Sequence, residues 1–295
     1  MGYLFLTFSL LAGTTKGYCG KMVSRHLRGT KDSLMANIIR MPFCMIIGFV
    51  IVLFSGDLKQ LVPSAELLLV SALSGISTAI AVVTWLIAVK KSAYMMLDIA
   101  LMLGVLIPII AGSIFFDESI KMTQCLGIAV LFIAVMVMGS YNNSVKSKLT
   151  FSTILILLTS GIANGITDFS QKLFVKSLPD ISISVFNFYT YAFAAVTLTI
   201  TYLLIKPQET KAGKEVFSKV LGYVVIMAAC LFINSYFKTL AANYLDAVLL
   251  YPLSQGAALI LSTVMSAVFF KERITAKCVA GLLTAFCGLL IINML

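Results

Sequence analysis

Charge is what this sequence has least of. Of 295 residues only 12% are Asp, Glu, Lys or Arg, while 60% are hydrophobic and mean hydropathy is +1.02. A soluble globular domain carries about 25% charged residues. Half that density cannot cover a water-facing surface of this length. A soluble enzyme, a disordered chain and a nucleic-acid-binding domain are excluded. The net charge of +10 does not restore the last class, because the basic residues sit in short gaps between apolar runs rather than in one patch. Histidine is nearly absent. His26 is the only one and lies between apolar runs, so histidine-based catalysis and His-rich metal sites fail. Paired cysteines are missing too. Cys19, Cys44, Cys125, Cys230, Cys278 and Cys287 fall in or beside apolar runs with no CxxC pair, and read as small packing residues rather than disulfides or metal ligands. No Gly-x-x-x-x-Gly-Lys-Ser/Thr run occurs, and no gap is long enough for an ATPase domain. An integral membrane protein without cofactor or metal is what remains.

A spanning helix needs about 20 mostly apolar residues. Ten such stretches are present, near 3–23, 33–54, 65–89, 93–115, 121–140, 151–174, 182–206, 218–241, 246–269 and 275–294. The longest polar gaps, Ser140–Thr150 and Lys206–Phe217, are too short to hold a catalytic head. Runs such as Gly127–Gly139 do not alternate as barrel strands would, so the spans are helical. Nothing basic precedes the first span and Lys16 interrupts it, which favours a mature helix over a signal peptide.

The chain also repeats itself. Phe115-Phe116-Asp117-Glu118-Ser119-Ile120 opens the fifth span, with Gly127 nine residues after the Glu. Phe269-Phe270-Lys271-Glu272-Arg273-Ile274 opens the tenth, with Gly281 at the same distance. Ala12, Tyr18 and Lys21 of the first span match Ala163, Phe169 and Lys172 of the sixth, and Gly104 matches Gly256. The expected organisation is a first five-helix repeat over 1–140, a linker over 141–150 and a second repeat over 151–295. Five spans per half is an odd number, so the second half is inverted relative to the first. Inverted repeats mark secondary transporters, which bind solute near the midplane between the halves.

Ten helices as five plus five, an aromatic-x-x-Lys ending the first helix of each half, and the Phe-Phe-x-Glu-x-Ile…Gly junctions resemble the drug/metabolite transporter superfamily in its ten-helix EamA-like branch. That resemblance implies an all-α integral membrane fold and transport of amino acids, sugars, nucleotide-linked compounds or drugs. It also implies cytoplasmic termini. Glu118 and Glu272 read as caps at helix starts. A related four-helix branch exports quaternary cations through a Glu in its first helix. Here Lys16 stands in that region, which disfavours a simple hydrophobic cation.

Ionisable groups inside a bilayer are expensive and point to transport paths. In the sixth span Asn164, Asp168 and Gln171 share one helix face, with Asp168 expected to bind a cationic group or a proton, or else to pair with a lysine such as Lys16. In the fourth span Tyr94 and Asp98 are four apart, and Pro108 breaks the backbone ladder. In the ninth, Tyr251 and Gln255 share a face beside Pro252. Tyr18, Trp85, Tyr189, Tyr191, Tyr236 and Tyr251 are the aromatic candidates for a pocket, Tyr18 and Tyr236 by their depth, against the alternative of an interfacial belt. Lys16 and Lys238 either line the path or snorkel. Arg40, beside Pro42, is a candidate partner for a carboxylate or phosphate.

Loops after the odd-numbered spans hold fifteen basic residues, whereas the opposite side holds Lys59, Lys121, Lys172 and Lys176. The positive-inside rule then puts both termini outside, whereas the resemblance puts them in the cytoplasm. The expected function is alternating-access transport of a small polar or amphipathic organic solute across the cytoplasmic membrane. Ion-coupled export is the first form, with a proton or cation on Asp168, then Asp98. An uncoupled facilitator or exchanger of sugars or nucleotide-linked compounds is the second. An intramembrane enzyme or channel is remote: the neighbours of Asp98 and Asp168 resemble no protease motif, and no filter repeat is present. The partners are the lipid bilayer, the solute and a possible coupling proton or cation. Nucleic acid is not a partner, and the chain is expected as a monomer or weak homodimer.

Overall fold

The computed structural model describes residues 1–27, 29–90, 94–140, 150–205, 214–270 and 276–293. Among them every regular element is a helix. The first half carries α1 (Gly2–Ser24), α2 (Thr30–Ser55), α3 (Ala65–Lys90), α4 (Tyr94–Gly104), α5 (Leu106–Phe115) and α6 (Met122–Ser140). The second carries α7 (Phe151–Ser177), α8 (Ile183–Leu204), α9 (Lys214–Ala242), α10 (Ala247–Phe270) and α11 (Ala276–Asn293). Helix starts and stops follow local chemistry. The backbone N–H of Gly29 donates to Asp32 at the start of α2, the backbone N–H of Leu67 donates to the Ser64 hydroxyl at the start of α3, and Gly56, at φ 77°, takes the left-handed turn that ends α2.

The expected fourth span, 93–115, is two helices rather than one. The break falls at Val105. Pro108 has no N–H, and its ring crowds the carbonyl four residues earlier, which is that of Gly104. With α4 and α5 counted together, ten helical passes stand among the described residues where ten were expected. Six helices are long and apolar enough to cross a bilayer by length and composition, and three shorter apolar segments accompany them. The protein is an all-α, multi-pass integral membrane protein.

Packing follows the duplication. α1 lies along α9 and its counterpart α7 lies along α3. α2 packs on α9 as α8 packs on α3, and α10 meets α1 as α4 and α5 meet α7. α2 with α8, and α6 with α11, pair across the centre. Exchanging the halves maps every one of these pairs onto another or onto itself. This is the arrangement of two inverted five-helix repeats. The tightest crossing is α4 on α7. A Cβ on Gly104, Gly161 or Gly165 would meet the facing backbone, so only glycine permits this approach.

The largest apolar core lies toward the end where α1 begins and α7 finishes. There Phe174 stacks on Phe186 at 4.2 Å and Tyr251 is fully buried. Within that core Lys172 is buried too, its Nζ 2.8 Å from Glu118. Lys172 therefore belongs to the interior and not, as the sequence suggested, to the charge of that face.

Candidate functional site

Polar side chains converge on one cavity of about 180 Å³ at mid-depth, enclosed by α1–α4 and α7–α10. Among the described residues α5, α6 and α11 contribute none of its lining. The lining starts above the buried Phe174–Tyr251 layer and extends toward the end where α1 and α3 finish.

α7 brings Asn164, Asp168 and Gln171 to the cavity on the shared face that their spacing predicts. Asp168 is buried and Oδ1 accepts a hydrogen bond from Lys238 Nζ of α9 at 2.6 Å. Asn164 Nδ2 stands 3.5 Å from the other carboxylate oxygen. The Tyr251 hydroxyl of α10 donates to the backbone carbonyl of Asp168 at 2.6 Å, fixing the turn that carries the carboxylate. The Lys238 ammonium also lies 5.5 Å from the Tyr251 ring centre. Gln171 Nε2 donates to the Ser235 hydroxyl at 3.2 Å, which donates in turn to Asn187 at 2.8 Å. Opposite, Asn234 of α9 is tied to Ser9 of α1 by reciprocal bonds of 2.8–3.0 Å. α1 and α7, the paired first helices of the two halves, thus face each other across α9.

Two further cations share the cavity. Lys16 of α1 lines it, within coulombic range of Arg40, Lys238 and Asp168. Arg40 of α2 lines it while 3% exposed, and its Nε and Nη2 have no hydrogen-bond partner among the described residues. Among the described residues that line it, three cations stand against the one carboxylate of Asp168.

The sequence-based candidates divide as follows. Lys16, Arg40, Trp85, Asn164, Asp168, Gln171 and Gln255 all line the cavity. Tyr251 sits directly beneath it, behind Asp168. Tyr18 does not line it: its ring packs edge-on against Phe269 at 5.4 Å. Tyr236 turns away as well, stacking on Phe232 and edge-on to Phe237, because its position on α9 faces the lateral packing rather than the centre. Tyr94 and Asp98 belong to α4, and their side chains lie outside the described residues. The partner of Asp168 is Lys238 rather than Lys16, and Lys238 does not snorkel. Glu118 does cap a helix start, but across the molecule: Oε2 accepts the backbone N–H of Ala247 at the start of α10, at 2.7 Å. Glu272 lies outside the described residues. Among the further polar residues of the lining are Asn234, Ser235, Thr78 and Tyr191. The sequence did not single out the first three. A polar residue at the cavity depth of an otherwise apolar span was the signal for each.

Comparison with known proteins agrees with this architecture. The family model described as the EamA-like transporter family matches residues 151–294. A solved crystal structure of a protein is similar over 99% of this chain and 96% of its own, with a TM-score of 0.77 and 13% identity, a likeness that shows the fold. A search of curated proteins finds no sequence match. The resemblance read from the duplicated junctions and the ten spans is thereby borne out over the second half: residues 151–294 match the EamA-like transporter family, which lies in the drug/metabolite transporter superfamily.

Proposed function

We propose that the protein is a secondary transporter that carries a small polar organic solute through the charged cavity by alternating access. The supporting observation is the convergence of Lys16, Arg40, Asp168 and Lys238 from both halves at mid-depth. Charged groups there are tolerated when they pair or face a water-filled cavity, and repay their cost when they handle a solute. Rocking of the halves about the α2–α8 and α6–α11 contacts would expose the cavity to each side in turn. The location is the cytoplasmic membrane, and one chain, with a closed bundle of two halves, is the working unit.

Two coupling modes remain, and the ion pair bears on both. A proton on Asp168 would free Lys238 and weaken the tie between α7 and α9, a route to proton-coupled export. The short Lys238 contact already neutralises Asp168, however, which favours exchange of one solute for another without an ion. The test is flux in proteoliposomes containing the full chain, with and without a pH gradient. Solute movement driven by the gradient and abolished in Asp168→Asn supports coupling. Movement that needs solute on the far side and ignores the gradient supports exchange. No flux of any solute tested, from folded reconstituted protein, overturns the transport reading.

A further inference from the structure

We infer that the cavity is built to hold an oxyanion, a small organic carboxylate or phosphate, gripped by Arg40 and assisted by Lys16. This rests on the transport reading only in making the anion the cargo. The binding site itself stands on three observations.

The first is charge. Among the charged side chains that line the cavity, Asp168 is already engaged by Lys238 at 2.6 Å. Among the described residues Lys16 and Arg40 have no carboxylate of their own. Their mutual repulsion is added to the cost of holding either inside a bilayer. The second is the state of Arg40. It is only 3% exposed, yet Nε and Nη2 have no partner among the described residues. Buried polar groups are overwhelmingly hydrogen-bonded, so two orphaned donors on one guanidinium mark a missing acceptor. The groups that its charge feels most are the Cys44 thiol and the Tyr191 hydroxyl, and both spend their hydrogen on backbone carbonyls, of Ala228 and Leu231. The third is shape. Nε–H and one Nη–H of a guanidinium form the planar fork that fits two oxygens of a carboxylate or phosphate. A neutral or cationic solute would leave this fork empty and the excess charge in place. The volume of about 180 Å³ leaves room for a small organic anion.

Asp168 then has a role other than binding a cationic cargo. It holds Lys238 in place and limits the positive charge to what one anion balances.

The experiment is a thermal-unfolding series on the full chain in detergent at constant ionic strength. The probes are inorganic phosphate, glycerol 3-phosphate, lactate and succinate, with chloride, choline and glucose as controls. At least one oxyanion is expected to raise the midpoint, in proportion to RT ln(1 + [L]/Kd). Arg40→Gln is expected to abolish that shift, and Arg40→Lys, which keeps the charge but not the fork, to weaken affinity by about tenfold. Lys16→Gln is expected to weaken it by a smaller factor. Without ligand, Arg40→Gln is expected to be at least as stable as the parent, because an unpaired buried charge is gone. If Arg40→Gln fails to fold, the Arg40→Lys comparison carries the same decision. Which probes act separates carboxylate from phosphate. Stabilisation by choline or glucose but by no oxyanion, or an oxyanion shift unchanged in both Arg40 variants, overturns the inference. So does the absence of any oxyanion shift at concentrations up to about 10 mM. Flux of the active anion in proteoliposomes then separates the two readings. Binding without flux leaves the anion site standing and sinks transport. Flux of a neutral or cationic solute at an unchanged rate in Arg40→Lys sinks the anion site and leaves transport standing.

Discussion

The Asp168–Lys238 pair makes a quantitative prediction with an unusual asymmetry. Unit charges 2.6 Å apart attract by about 6 kcal/mol at an effective dielectric constant near 20. Desolvation offsets most of that, so a buried pair as a whole contributes little, while removal of one partner costs about 3–5 kcal/mol. The two removals are not equivalent here. Asp168→Asn leaves Lys238, Lys16 and Arg40 facing one another with no anion among them. Lys238→Met leaves Asp168 within coulombic range of Lys16, which takes over part of the pairing. The double variant restores the parental excess of two positive charges. The expected losses are therefore about 3–5 kcal/mol for Asp168→Asn, about 2–3 for Lys238→Met and only about 1–2 for the double variant, a coupling of about 3 kcal/mol or more. Equilibrium unfolding of the purified protein in mixed micelles titrated with SDS measures all four corners of the cycle. Losses that simply add, or a Lys238→Met variant less stable than Asp168→Asn, would refute the charge arrangement described for the cavity.

Three further outcomes are expected. Glu118→Gln removes the 2.8 Å ion pair with Lys172 and weakens the cap on α10, and is expected to cost about 3 kcal/mol in the same unfolding assay; a change under about 0.5 kcal/mol would contradict the buried pairing. Gly161→Ala forces α4 and α7 apart and is expected to lose about 1–3 kcal/mol, whereas the same change at Gly222, which has open space around it, is close to neutral. Single cysteines placed at the exposed positions His26 and Lys59, in a background without the native cysteines, are expected to react with an impermeant reagent from opposite faces of the membrane; reaction from one face would break the ten-crossing fold, and the face that labels His26 decides between charge bias and family orientation.

The crossings were legible because bilayer thickness sets their length, a rule that needs no knowledge of partners. The third span was expected at 65–89 and is Ala65–Lys90; the first was expected at 3–23 and is Gly2–Ser24. The misses have local causes. α7 runs on to Ser177, past the expected end at 174, because Lys172 is answered by Glu118 from the other half and therefore does not end the buried stretch. Pro108 announced a disturbance in the fourth crossing, but the break shows at Val105, next to the carbonyl that the proline ring displaces. Inside the site, helical spacing alone put Asn164, Asp168 and Gln171 on one face. It gave no azimuth relative to other helices. Tyr18 and Tyr236 have the right depth and the wrong direction, and packing in three dimensions decides direction.

The ranking of charges was the least legible part, for a reason that bears on function. A sequence counts charges without pairing them. Asp168 therefore stood out as a scarce carboxylate in an apolar span, and Arg40, a candidate for a carboxylate or phosphate, ranked below it. Pairing reverses that order. Among the described residues the two buried carboxylates, Asp168 and Glu118, are each matched to a lysine seventy and fifty-four positions away, Lys238 and Lys172. Once these pairs are set aside, the charge left in the interior is positive, and it belongs to Arg40 and Lys16. A pair that closes on itself can be explained by folding. A buried guanidinium with two idle donors beside a cavity cannot, because a shorter neutral side chain would fold at lower cost. The residue to follow for specificity is thus the one without a partner, and the paired carboxylate is its counterweight.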